Sequence, residues 1–152
     1  MAGSYRTVLV GTDGSDTSFL AVERAAGLAR DAGARLLIVS AYQPADDSSL
    51  TREKDILGAD AYQLVGSAPA EDNVGRARDR ALKVGLTDVE TLTVQGSPVD
   101  VLPQVAADRA VDLVVVGNRG LNRLGGRLLG SVPSDVARRS AVDVLIVHTT
   151  DR

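Results

Sequence analysis

The chain carries five short apolar runs, and three of them are nearly unbroken in Val, Leu and Ile. They are Thr7–Val10 (TVLV), Arg35–Ala41 (RLLIVSA), Val89–Val94 (VETLTV), Leu113–Val116 (LVVV) and Val142–Val147 (VDVLIV). A strand with one wet face alternates apolar and polar residues, so an unbroken run of this length marks a strand buried on both faces. Parallel sheets covered by helices have such strands. VETLTV alternates instead, which predicts a sheet edge with one wetter face.

Helical patterns fill the gaps between the runs. From Thr17 to Ala32, Phe19, Val22, Ala25, Ala26 and Ala29 share one side of a helical wheel, and Glu23, Arg24, Arg30 and Asp31 share the other. Leu20 falls among the polar positions. Ser15 or Asp16 can cap this helix, and Gly33 follows its end. Further helices are predicted over Ala70–Val84, Val99–Asp108 and Val132–Arg139, with Pro103 bending or loosening the third because it lacks an amide donor. The order predicts one α/β domain over residues 1–152: a doubly wound, five-stranded parallel sheet with helices on both faces. The Tyr42–Pro69 connection, rich in Asp, Ser and Ala, is long enough for a functional loop.

Composition removes whole classes of function. With no cysteine there is no disulfide, thiolate nucleophile or cysteine-built metal site. A single histidine, His148, leaves no histidine-rich metal centre and is expected to be solvated. The net charge of −3 and the four aromatic residues, Phe19, Tyr5, Tyr42 and Tyr62, argue against nucleic acid. No apolar stretch approaches the roughly 20 residues of a membrane span, and no signal peptide pattern opens the chain, so a cytoplasmic location is expected.

Two segments fall where open α/β sheets bind ligands, beyond the C-terminal ends of strands. Gly11-Thr12-Asp13-Gly14-Ser15 follows the first strand. The second, Gly117–Val132, joins the fourth strand to the last helix and holds five glycines in sixteen residues. Glycine lets backbone amides approach a phosphate, a helix start favours an anion, and Arg119, Arg123 and Arg127 add positive charge. These features describe a phosphate cradle; a capped surface loop uses the same residue types. Familiar enzyme patterns are missing. Gly125–Gly130 has the P-loop glycine spacing, but Ser131 stands in the lysine position. Neither GxGxxG nor GxSxG occurs, and neither lysine, Lys54 or Lys83, ends a strand as a phosphorelay receiver would require.

Gly117-x2-Gly120-x9-Gly130-Ser131, set between a valine-rich strand and a short C-terminal helix, resembles the nucleotide-binding branch of the universal stress protein family. Val10-Gly11-Thr12-Asp13-Gly14-Ser15 resembles that family's first-strand loop, and the likeness spans the chain, implying the family's Rossmann-like fold. The resemblance implies that Asp13 meets ribose hydroxyls or a nucleotide-bound Mg2+, with helix capping or turn formation as its alternative role. Gly11 and Thr12 would pass the nucleoside, and the Ala41 backbone would read adenine. Gly117, Asn118, Arg119, Gly120, Leu121, Asn122 and Arg123 would face ribose and phosphate, while Gly130, Ser131 and Val132 would hold phosphates at the helix start. Pro133 departs from the small residue usual there and removes one amide donor.

The resulting expectation is a regulator that binds an adenine nucleotide: ATP by default, with Mg2+ accompanying it, or AMP or cyclic AMP. The resemblance also implies a homodimer, and the apolar terminal strand Val142–Val147 is the expected contact. A slow ATPase or nucleotidyl-transfer enzyme on the same site, and a nucleotide-free interaction module, stand as alternatives.

Overall fold

The computed structural model describes residues 4–44, 66–118 and 131–149. Five strands, β1 (Thr7–Gly11), β2 (Arg35–Tyr42), β3 (Val89–Gln95), β4 (Leu113–Gly117) and β5 (Asp143–Val147), form one sheet in the order β3-β2-β1-β4-β5. Every pairing is parallel. Four helices connect them: α1 (Asp16–Ala32), α2 (Ser67–Val84), α3 (Pro98–Asp108) and α4 (Ser131–Arg139). None of the described helices is long and apolar enough to cross a membrane.

Successive side chains of a strand face opposite sides, and here both sides are buried. Val8 and Val10 of β1 join Leu36, Ile38, Leu113 and Val115 beneath α1 and α2. Leu9 joins Leu37, Val39, Val114 and Val116 beneath α3 and α4. The unbroken valine runs are thus the central strands, as expected. Alanine lets α1 and α2 lie close to the sheet and each other: Ala21, Ala25, Ala26, Ala29, Ala77 and Ala81 are fully buried. Arg76 and Arg80 cover the ring of Phe19, 5.5 and 4.9 Å from its centroid, and Arg80 also pairs with Glu23. Leu20 lies outside this packing, 47% exposed.

The expected elements are present, with shifted ends. VETLTV is an edge strand, partly exposed along its length, and β5 forms the other edge. β1, β2, β3 and β4 run past their last apolar run residue because backbone pairing continues, as in Gly11↔Val39 and Gly117↔Val147. The second predicted helix begins at Ser67 rather than Ala70, because Pro69 sits in the first turn, where an amide is not needed. α3 passes through Pro103 without interruption. Of the long connection, Tyr42 ends β2 and Pro69 lies in α2; residues 45–65 lie outside the described residues.

The two halves of the sheet, β3-β2-β1 and β4-β5, adjoin where β1 pairs with β4. At the N-terminal end of this seam, the Asp112 carboxylate accepts from the amides of Arg6 (3.0 Å) and Thr7 (3.1 Å), while the Asp112 amide donates to the Thr7 carbonyl (3.0 Å). At the C-terminal end the two strands part.

Truncating a fully buried leucine removes transfer energy and leaves a cavity. Leu9→Ala should therefore cost about 2–5 kcal/mol in denaturant unfolding, whereas Leu20→Ala on the exposed side of α1 should stay within about 0.5 kcal/mol of the parent.

Candidate functional site

The tips of β1, β2 and β4 and the segments following β2, β3 and β5 surround one cleft. Gly11, Thr12 and Asp13 follow β1 into it, Ala41 and Gln43 enter from β2, and Gly96-Ser97-Pro98 from the turn after β3. Gly117 closes β4, Val132 lies in the first turn of α4, and Thr149 arrives after β5. Parallel strands make this convergence possible, because all their C-terminal ends share one side of the sheet.

The cleft has two halves of different chemistry. Toward β2 and β3, Val39, Ala41, Pro98 and Leu102 supply apolar surface. Gly11 belongs to this packing, since a Cβ on it would lie 3.0 Å from Cδ1 of Leu102. Toward β1 and α1 the wall is polar, and its hydrogen bonds have directions that can be assigned. Ser18 Oγ donates to the Ser15 carbonyl at 2.8 Å, which uses its single proton. Thr12 Oγ1, 2.7 Å away, must therefore donate to Ser18 Oγ, and it accepts from the Gly14 amide at 3.1 Å. Ser15 caps α1 by accepting from the Ser18 amide at 3.2 Å.

Asp13 combines the two roles considered for it. Its Oδ1 accepts from the Ser15 amide (2.9 Å) and the Ser15 hydroxyl (2.6 Å), which fixes the turn. Its Oδ2 meets no protein donor among the described residues, and Asp13 lines the cleft. The turn therefore uses one carboxylate oxygen and leaves the other as an acceptor for a ligand. Gly14 completes the loop with φ +85°, a left-handed conformation. A Cβ there would also sit 2.4 Å from Oδ1 of Asn73, a buried α2 residue. The Asn73 amide nitrogen has no hydrogen-bond partner among the described residues.

Of the residues expected to bind, Gly11, Thr12, Asp13, Ala41, Gly117 and Val132 are together on the cleft wall. Asn118 is not on that wall; its Oδ1 is taken by the amide and hydroxyl of Thr149. The backbone of Ser131 begins α4, with Pro133 in its first turn. Arg119, Gly120, Leu121, Asn122, Arg123 and Gly130 lie outside the described residues. His148 is exposed, as expected, and absent from the cleft wall.

Sequence reasoning missed Ser97, Leu102, Gln43 and Thr149. Ser97 sits at the start of α3, its hydroxyl donating to Asp100 at 3.0 Å. That bond, with Arg139 reaching across from α4, holds the Asp100 carboxyl below its ordinary pKa. The signal that could have found Ser97 and Gln43 is the strand-end rule already applied to β1 and β4.

The universal stress protein family model matches residues 4–148. A universal stress protein of Mycobacterium tuberculosis, Rv1636, is 50% identical over 147 residues, covering 97% of this chain and 99% of the relative. One from Thermus aquaticus is 32% identical, over 95% of this chain and 99% of the relative. A crystal structure of a universal stress protein in complex with cAMP superposes with a TM-score of 0.76 at 45% identity, covering 97% of this chain and 100% of the other.

The crowding around Gly14 predicts a coupled pair. Gly14→Ala should destabilise the fold by about 2 kcal/mol or more, combining the left-handed backbone cost with the collision. Adding Asn73→Ala should recover part of that loss, read as non-additivity in denaturant unfolding. Strictly additive effects would show that the two positions do not meet.

Proposed function

The chain belongs to the universal stress protein family, and we propose that its cleft takes an adenine nucleotide as a regulatory ligand. The observation that carries this reading is the division of the cleft: an apolar slot at the tips of β2 and β3, adjoining an acceptor-rich wall at the tip of β1. A planar base suits the slot, with the Ala41 backbone at its edge. The vicinal hydroxyls of a ribose suit the free oxygen of Asp13. Phosphates belong toward the start of α4, where helix amides and the helix dipole favour an anion. The related structure that holds cAMP supports an adenine nucleotide as the ligand class.

ATP, AMP and cyclic AMP share the adenine and the ribose 2′-hydroxyl, only ATP and AMP carry the vicinal pair, and ATP is the form suited to the glycine spacing of Gly117–Ser131. With ATP, Mg2+ would be held chiefly by phosphate oxygens and water. Asp13 is the single carboxylate on the described cleft wall, so it is the residue placed to help. The regulatory reading rests on the sequence, where the glycine loop Gly117–Val132 contains no histidine, lysine or carboxylate to act as a general base. Asp13 can orient a water, which would allow slow hydrolysis at most.

Nucleotide released by denaturing the purified protein should be identified by mass spectrometry as an adenine nucleotide. Asp13→Asn keeps Oδ1 for the turn but exchanges the carboxylate's free oxygen for an amide. In calorimetric titration it should lower affinity by about tenfold, with melting nearly unchanged. Asp13→Ala should lower both affinity and stability. Unchanged affinity in a folded Asp13→Asn protein would reject the ribose assignment.

The proposal extends to assembly. β5 pairs with β4 on one side only among the described strands, leaving its other edge open. Pairing with the same edge of a second copy about a twofold axis would satisfy both. Sedimentation equilibrium at micromolar concentration should give about twice the 15.8 kDa chain mass. A chain that stays monomeric at high concentration would reject the dimer.

A further inference from the structure

Thr149 is an unusual residue to find in a ligand cleft. It lies two positions beyond the last strand, yet it is only 5% exposed and forms part of the cleft wall. Its amide donates to Oδ1 of Asn118 at 2.9 Å, and its Oγ1 lies 3.1 Å from the same atom. A backbone amide can only donate, so the Asn118 atom that meets it is the carbonyl oxygen. The Thr149 hydroxyl facing that oxygen must likewise give it its proton. Oγ1 is left with lone pairs alone, and toward any further partner it is an acceptor.

The position of this acceptor gives it a use. Gly117 ends β4, which lies between β1 and β5 in the sheet. A Cβ on Gly117 would sit 3.3 Å from both Oγ1 and Cγ2 of Thr149, so the threonine side chain lies against the β4 tip. Across that tip, the β1 side carries the free oxygen of Asp13. Two acceptors therefore flank the glycine where the sugar of a nucleotide would lie. A phosphate oxygen offers no proton to either of them, whereas a sugar hydroxyl does.

We infer that Thr149 is a specificity-determining residue: its hydroxyl oxygen, with its own proton committed to Asn118, accepts a hydrogen bond from a ribose hydroxyl and so selects ribonucleotides over deoxyribonucleotides. The inference rests on the adenine-nucleotide reading and adds the sugar to it. It also explains the glycine at 117 from the protein side, since a larger residue there would push Thr149 away.

The test is calorimetric titration of the full chain with AMP, 2′-deoxy-AMP and 3′-deoxy-AMP. The parent should prefer AMP over at least one deoxy analogue by about tenfold, and the analogue it rejects identifies the hydroxyl. Thr149→Val keeps the size and loses the acceptor. It should weaken AMP by about tenfold, leave the rejected analogue unchanged, and so abolish the preference. Thr149→Ser should restore it. If Thr149→Val does not fold, Thr149→Ala is judged by the same affinity ratio. Equal loss for all three ligands would make Thr149 merely structural and overturn the inference, as would no change for any. A parent that binds AMP and both analogues equally overturns the sugar assignment alone. A parent that binds none of the three overturns the nucleotide reading and this inference with it.

Discussion

Burial of β1 and β4 on both faces is the constraint from which the rest of this structure follows. With Val8 and Val10 in one core and Leu9 in the other, β1 can tolerate solvent on neither side. Helices must cover both faces, and parallel strands need crossovers long enough to supply them. All strand tips then lie on one side, and the tips of β1 and β4 diverge toward opposite helical layers. The cleft is the space left where they part. Its location is a consequence of hydrophobic burial, and the polar residues around it use a position already determined by valine and leucine.

Most of this architecture was legible in the sequence because valine runs and alanine-lined helices are strong periodic signals. The differences have local causes. Pro69 looks like the end of a loop, but a proline in a first helical turn sacrifices nothing, and α2 starts before it. Gly11 and Gly117 interrupt the apolar runs, yet their backbones still pair with β2 and β5. In the site, Gly11, Asp13 and Gly117 were legible because loop chemistry singles them out. Thr149 was not. The strand-end rule reaches Thr149 as it reaches Ser97, but its part in the wall depends on β5 lying beside β4, and its partner Asn118 is 31 residues away. Nor could residue types show that Asp13 divides its oxygens between the turn and the cleft.

The polar wall is also organised before any ligand arrives. Thr12, Ser15 and Ser18 direct their protons to one another, to Asp13 and to the backbone, so no hydroxyl of the three has to choose between internal and ligand partners. A site whose dipoles are already oriented avoids the ordering cost of arranging them on binding. The buried Asn73 side chain holds Gly14 from behind, leaving little room for the loop to retreat. Rigidity here comes from short side chains bonded locally. The base end, lined by Leu102 and Pro98, is held by packing instead.

The Asp112 clamp gives the opposite end of the sheet a mechanical meaning. It joins β1 and β4 at the end remote from the cleft, through bonds to two consecutive amides and a return bond to Thr7. From that point the two strands stay paired as far as Val10 and Val115, so the clamp is the first rung of a ladder that stops one residue short of Gly11 and two short of Gly117. The tips can part only beyond the last rung. A strand pairing that slipped by one residue would carry a tip along by about 3.3 Å, and a carboxylate bonded to two consecutive amides resists such a slip from the end remote from the ligand.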